Sequence, residues 1–175
     1  MSTTIDIRLP DGAIKQMPVG STPFEVAQSI SEGLARAVIS ASYNGTTIET
    51  TTPLQENGEL VLYSWTNDEG KKAFWHSSAH LLAQALEQLY PGIKLTIGPA
   101  IDSGFYYDID PGEHSISEKD LTAIEKRMIE LARGKHAFSL RSVAKAEALS
   151  FYKAAGNEYK TCLLYTSPSP RDIGE

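Results

Sequence analysis

The first 65 residues carry a succession of local folding signals that leaves few possible folds. Residues 4–9 alternate apolar and polar side chains, which predicts a half-buried strand. The turn residues 10–12 then predict a hairpin with residues 13–17. Asn44-Gly45 is a second, strong hairpin signal. Three further stretches have strand character: residues 37–43, 46–50 and 59–64.

One helix is predicted between these strands. Thr22 and Glu25 are spaced so that each side chain can cap a free backbone N–H of the first turn, and Pro23 suits the first helical position. Gly33 is expected to end the helix. A hairpin, one helix and two or three more strands together predict a β-grasp (ubiquitin-like) domain over residues 1–65.

The remainder of the chain has longer helices interleaved with strands. A polar linker is expected at residues 66–70, and Ser117 with Asp120 predicts a capped helix start. The predicted helices are 72–90, 117–133 and 144–155, and the predicted strands are 93–98, 104–109 and 138–143. The fold class expected for the whole chain is therefore α+β.

Composition excludes several classes of protein. The chain has 175 residues and a net charge of −6, which argues against broad, nonspecific binding of nucleic acid. Cys162 is its single cysteine, so neither a disulfide framework nor a cysteine-rich zinc site is expected. The sequence contains no apolar run of membrane-spanning length and no signal peptide. A cytoplasmic protein without membrane contact is expected.

Two histidines are the sharpest candidates for chemistry. His76 and His80 are four residues apart, so they lie on one face of the predicted helix, one turn apart. Such a pair can ligate a metal, line a pocket, or pack beside the core with hydrogen bonds to the backbone. A metal site would need a third ligand, for which the chain offers His114, His136, Cys162 and scattered carboxylates.

A second candidate region is residues 98–108. Its two glycines allow close approach of the backbone to a partner. Tyr106 and Tyr107 are adjacent on a predicted strand, so one ring is expected in the core and the other is free to face a pocket. The sequence contains no phosphate-binding Walker loop, nucleophile elbow or dinucleotide fingerprint.

Several motifs match known families in the same order along the chain. Leu9-Pro10-Asp11-Gly12 and Tyr43-Asn44-Gly45, with the capped helix between them, resemble the TGS domain. The later motifs resemble the editing domain of bacterial-type threonyl-tRNA synthetases: residues 76–82, Ile97-Gly98-Pro99, Tyr106-Tyr107-Asp108, Glu125-Lys126-Arg127-Met128 and Gly156-Asn157-Glu158-Tyr159-Lys160. The resemblance covers residues 4–160.

The resemblance implies a division into domains and a site. Residues 1–65 would be the TGS domain, 66–70 a linker and 71–160 part of an editing domain that hydrolyses serine wrongly attached to the threonine tRNA. In that family's pocket, His76, His80 and Lys160 would be catalytic and Tyr107 would bind substrate. Such a second site is useful because serine lacks only one methyl group of threonine. That difference gives the site that attaches the amino acid only about 1–3 kcal/mol of discrimination against serine.

The resemblance also implies a larger enzyme. The family attaches threonine to its tRNA with ATP and Mg²⁺, holds zinc in its catalytic core, and is homodimeric. The family's Cys-x-Gly-Pro-His segment, catalytic core and anticodon-binding domain are not in this sequence. Residues 161–175 are unrelated to the family and are expected to be a disordered tail. The chain is therefore expected to be an N-terminal fragment that binds none of these cofactors, cannot ligate and edits weakly or not at all.

Two alternatives remain open from the sequence. The first is a freestanding aminoacyl-tRNA deacylase that holds a metal with His76 and His80, although the downstream Cys-x-x-x-His that it needs is missing. The second is a non-enzymatic TGS protein that binds RNA or regulates another process. Zinc copurification would favour the first. Binding of tRNA without deacylation would favour the second.

Overall fold

The structure, a computed structural model, describes residues 3–135 and 142–166. Backbone contacts divide it into two units, Met1–Trp75 and His76–Glu175. The division falls within a long helix, α3 (Asp68–Leu89). Residues 68–70, which were expected in the linker, form the first turn of that helix, where Asp68 and Glu69 are favourably placed at the positive end of the helix dipole.

The first unit is built on a five-stranded sheet in the order β2-β1-β5-β3-β4. The strands are β1 (Thr4–Arg8), β2 (Ile14–Pro18), β3 (Val38–Tyr43), β4 (Thr46–Ile48) and β5 (Gly58–Ser64). β1 and β5 are parallel, and the other pairs are antiparallel. The alternation predicted in the first strand is present, since Ile5 and Ile7 are buried between exposed neighbours. Both side chains belong to the core, with Val26, Ala41, Leu54 and Leu60.

The predicted helix of this unit is two short helices, α1 (Pro23–Ile30) and α2 (Glu32–Ala37). The capping box is formed: the Thr22 hydroxyl accepts from the Glu25 N–H at 3.2 Å, and the Glu25 carboxylate accepts from the Thr22 N–H at 2.8 Å. The helix does not end at Gly33. Ser31 adopts an extended conformation, and its hydroxyl accepts from the Leu34 N–H at 3.0 Å, which starts α2 with Gly33 inside it.

The second unit combines helices with two small two-stranded sheets. β6 (Lys94–Leu95) pairs with β9 (Ile109–Asp110), and β7 (Ala100–Ile101) pairs with β8 (Gly104–Phe105). The predicted strands at 93–98 and 104–109 are thus each interrupted. The core contains Ala83, Leu86, Ile93, Leu95 and Ile124, the last from α4 (Glu118–Arg133).

Two helices complete this unit, α5 (Lys145–Ala154) and α6 (Glu158–Thr166). The strand predicted at 138–143 falls largely outside the described residues. Disorder was expected from residue 161 onward, but residues 161–166 continue α6, and Leu164 is buried there. Within the part of the chain described, no helix is long and apolar enough to cross a membrane.

Candidate functional site

The two predicted site histidines lie on consecutive turns of α3 and contact each other. The Nε2 atoms of His76 and His80 are 3.1 Å apart, and the rings are nearly perpendicular at 89°. A hydrogen bond between these atoms requires one Nε2 to carry a proton and the other to present a lone pair. Two protonated Nε2 atoms would turn their N–H groups towards each other. Both rings are half-buried, and their tautomers set which Nε2 donates and which accepts.

Tyr107 is brought to the same turn of α3 by a close backbone approach. A Cβ atom added to Gly98 would lie 2.4 Å from the Tyr107 ring and 3.2 Å from the Cβ of Ala79. Because Ala79 directly precedes His80, Gly98 is the point at which Tyr107 and the histidine-bearing turn meet. Any larger residue at position 98 would separate them. Tyr106 points elsewhere and is 65% exposed, as expected of adjacent tyrosines on an extended segment.

A shift of register in the hairpin produces this arrangement. Leu95 pairs with Ile109 and Ala100 with Phe105, so five residue steps on the first strand face four on the second. The extra residue is a β-bulge, a feature that redirects side chains and is common beside functional sites. It separates β6–β9 from β7–β8 and leaves Gly98 beneath the ring of Tyr107.

The backbone around Lys160 is held by the β6–β9 sheet. Asn157 directly precedes α6 and caps its first turn, because its Oδ1 accepts from the Lys160 N–H at 2.9 Å. Its Nδ2 donates to the Leu95 carbonyl at 3.1 Å. The Tyr159 hydroxyl donates to the Asp110 carboxylate on β9 at 2.9 Å. The bond from Asn157 to Leu95 and the bond from Tyr159 to Asp110 connect the start of α6 to β6 and β9.

The charge on Asp110 is stabilised where it receives these bonds. The Gly112 N–H and, secondarily, the Tyr159 hydroxyl lower the pKa of Asp110 below its usual range. The same hydrogen bond from its hydroxyl raises the pKa of Tyr159. The ion pair between Lys94 and Glu158, at 3.7 Å, is exposed and contributes little.

Comparison with known proteins identifies the relatives of both units. The TGS domain family matches residues 5–63. A threonine–tRNA ligase of Flavobacterium johnsoniae is 62% identical over 160 residues, which are 91% of this chain and 24% of that protein. The chain is homologous to the N-terminal region of threonine–tRNA ligases. The ligases of Flavobacterium psychrophilum and Phocaeicola vulgatus are 58% and 49% identical over 89% and 91% of the chain. The chain spans about a quarter of the length of these relatives.

The family resemblance and the α+β fold with an N-terminal β-grasp domain are therefore confirmed. The assignment of His76, His80, Tyr107 and Lys160 as threonine–tRNA ligase editing residues remains a prediction. The structure places His76 and His80 on consecutive turns of α3 and Tyr107 against Gly98, which also approaches Ala79. It holds the backbone of Lys160 at the β6–β9 sheet through Asn157.

The other candidate metal ligands have different environments. His114 bonds through Nε2 to the Pro91 carbonyl at 2.9 Å and packs edge-on against Tyr90. Cys162 is exposed on α6, and His136 lies outside the described residues. Among the residues that the structure describes, no three His, Cys, Asp or Glu side chains are grouped to hold a metal ion. His76 and His80 would supply two ligands where catalytic zinc sites use three.

The sequence predicted close backbone approach at the glycines of residues 98–108 without naming a partner for Gly98, and it gave Asn157 and Asp110 no positioning role. An asparagine followed by a helical stretch is a recognisable N-cap signal, so Asn157 could have been found. The roles of Gly98 and Asp110 depend on partners nine and 49 residues away, Tyr107 and Tyr159, for which the sequence carries no local signal.

Proposed function

We propose that this chain acts in threonine–tRNA ligation, the ATP-dependent attachment of threonine to its tRNA. In this proposal, residues 5–63 supply the TGS domain, and the second unit supplies a site that hydrolyses serine from wrongly charged tRNA. The observation that carries the editing part is the His76–His80 pair on α3, whose Nε2 atoms are 3.1 Å apart. Gly98 lies between the Tyr107 ring and Ala79 of the same helix. The partner is tRNA, and homodimerisation of the whole ligase belongs to the same proposal.

The two imidazoles are the groups of this site that can carry a proton. One of them would exchange its bond to the other ring for a bond to water, and would accept a proton from that water as the water oxygen attacks the ester carbonyl. The imidazolium so formed would return the proton to the ribose oxygen as the ester bond breaks. Lys160 would place positive charge near the developing oxyanion. The Tyr107 hydroxyl would orient the serine side chain.

The ATP, Mg²⁺ and zinc of the ligation reaction belong to the whole enzyme, and no residue of this chain is assigned to them. In this proposal the residues of this chain bind the charged tRNA and position its ester bond, and they take no part in the activation of threonine. This distinction makes the editing step the one activity that the chain can be tested for directly.

The test is hydrolysis of seryl-tRNA by the whole chain. We expect at most weak serine release above the uncatalysed rate, because the segment that completes the family's pocket is missing, and we expect His76→Ala and His80→Ala each to return that release to the uncatalysed rate. Lys160→Met should also lower the rate. Lys119→Met is the matched control, because Lys119 is an exposed lysine on α4 outside the family's motifs. Full activity in both histidine variants would refute the editing assignment.

The other outcomes favour the alternatives. Binding of tRNA with no deacylation by any variant would support a non-enzymatic TGS protein. Deacylation that requires added zinc, with zinc binding lost in His76→Ala, would support the metal-dependent deacylase.

A further inference from the structure

A turn after β5 holds an aromatic side chain at the surface of the first unit. The Asn67 side-chain oxygen accepts from the Ser64 N–H at 2.9 Å, and the Asn67 N–H donates to the Ser64 carbonyl at 3.1 Å. The Ser64 and Thr66 hydroxyls are 2.9 Å apart. These bonds fix the backbone on both sides of Trp65, so the backbone of this turn does not need to be ordered when a ligand arrives.

Trp65 belongs to a cluster of three aromatic rings. Its centroid is 4.9 Å from that of Phe74 and 5.5 Å from that of Trp75, and Phe74 and Trp75 are 5.4 Å apart. All three pairs meet edge to face, an attractive arrangement for aromatic rings. Although the rings support one another, Trp65 is 46% and Phe74 42% exposed. The cluster therefore presents fixed apolar surface to solvent.

Two members of the cluster, Trp65 and Phe74, line a wide, open surface pocket of about 630 Å³, hereafter the cavity. Arg36, in the last turn of α2, is the one charged residue among the seven that line it. The hydroxyl-bearing residues Ser64 and Thr66 lie on the same lining. The cavity thus combines two aromatic rings set edge to face, one positively charged side chain and two hydroxyl-bearing residues.

We propose that this cavity binds one unpaired nucleotide of an RNA strand. The base would stack on the exposed ring of Trp65 or Phe74, and the guanidinium of Arg36 would bind the adjoining phosphate. Arginine suits that role because it donates to phosphate oxygens in a planar, bidentate manner. This proposal rests on the proposed function in one respect, namely that the partner is RNA. It places an RNA contact in the first unit, in addition to the editing site proposed for the second unit.

The charge of the lining favours RNA over an apolar peptide. A peptide side chain that filled the cavity would cover Arg36 without supplying a counter-charge, which is unfavourable for a guanidinium. A phosphate supplies that charge. The net charge of −6 also means that nonspecific attraction contributes little, so binding should depend on this discrete site.

The test is binding of a fluorescently labelled, unpaired RNA 12-mer to the whole chain, compared with a blunt RNA duplex of the same length. We expect the unpaired strand to bind more tightly. Trp65→Ala should weaken its binding about 5- to 150-fold, the range for loss of one base–aromatic stack. Trp65→Phe should restore most of it. Arg36→Gln should weaken binding and reduce its dependence on salt by about one phosphate contact.

Phe24→Ala is the matched control, because Phe24 is an exposed aromatic residue of the same unit outside the cavity, 40% exposed. Unchanged RNA binding in both Trp65→Ala and Arg36→Gln would overturn the proposal, and so would equal affinity for the duplex. Trp65-dependent capture of an apolar peptide in place of RNA would assign the cavity to protein docking and would overturn it as well.

Seryl-tRNA deacylation measured on the same variants separates this proposal from the proposed function. Deacylation by a wild-type chain that binds no unpaired RNA would refute the nucleotide site and leave the editing site standing. Trp65-dependent RNA binding without any deacylation would do the reverse.

Discussion

Substitution of Gly70 by alanine should destabilise the first unit, although Gly70 lies inside a helix where alanine is normally the better residue. An alanine Cβ at this position would lie 1.9 Å from the Ser64 carbonyl oxygen and 2.6 Å from the Ser64 carbonyl carbon. Both atoms are backbone atoms of a turn held by Asn67. Relief of the overlap therefore requires α3 or the turn to move.

Two opposing effects determine the magnitude. Replacing a helical glycine by alanine stabilises a protein by about 0.4–1 kcal/mol through the entropy of the unfolded chain. Overpacking of a site that is already full costs about 1–3 kcal/mol. Because the contact here is with backbone, the upper half of that range applies, and we expect a net loss of about 1–2.6 kcal/mol in the free energy of unfolding. For a cooperative unit of this size, each kcal/mol lowers Tm by about 4–8 °C.

The assay is thermal and urea unfolding of the whole chain, followed by tryptophan fluorescence. Both tryptophans, Trp65 and Trp75, lie in the first unit close to the substitution. Gly33→Ala is the matched control, because Gly33 is also helical and an added Cβ would meet only the Ser31 hydroxyl oxygen, at 3.9 Å. We expect Gly33→Ala to stabilise by about 0.4–1 kcal/mol. Equal free energies of unfolding for the Gly70→Ala and Gly33→Ala chains would show that an alanine Cβ at position 70 does not overlap the Ser64 backbone.

Two further predictions concern the second unit. The Ser117 N–H, and then its hydroxyl, lower the pKa of Asp120 in the folded chain, so the stabilisation is complete above the unfolded pKa and is lost as the pH falls through the folded one. The free energy of unfolding, measured with urea, should therefore fall less between pH 7 and pH 3 for Asp120→Asn than for the wild type. An equal fall in both chains would contradict this prediction. Asn157→Ala removes both the cap on Lys160 and the bond to the Leu95 carbonyl and should cost about 1–2 kcal/mol, while Asn157→Asp keeps the acceptor and should cost less. Hydrogen exchange at the Lys160 amide distinguishes them, and equal protection in both variants would exclude the capping role.

Features that depend on neighbouring residues were predictable from the sequence. Thr22 and Glu25 form their capping box because the partners are three residues apart, and Asn44-Gly45 forms its hairpin turn with positive φ at both residues. The contact between His76 and His80 follows from their helical spacing in the same way. Such local signals, together with the order of the elements, were sufficient to predict the β-grasp domain and the shared face of the histidines.

The ends of two helices could not be predicted from the residues of the segments alone. Gly33 is a common helix-ending residue, but the extended conformation of Ser31 ends the first helix earlier and starts a second one. Residues 161–166 have no strong helix signal, yet Asn157 caps the start of their helix and Leu164 is buried. In both places a cap or a buried contact outweighs a weak preference of the segment itself.

The side chains available for chemistry could be read from the sequence: the histidine pair, two adjacent tyrosines and Lys160. Their arrangement could not, because it depends on contacts between distant segments. The bulge in the hairpin brings Gly98 against both Tyr107 and α3, and the bonds of Asn157 attach α6 to the Leu95 carbonyl 62 residues earlier. The physical reason is that register and close approach are set by packing between distant segments, whereas capping and helical spacing are set within a few residues.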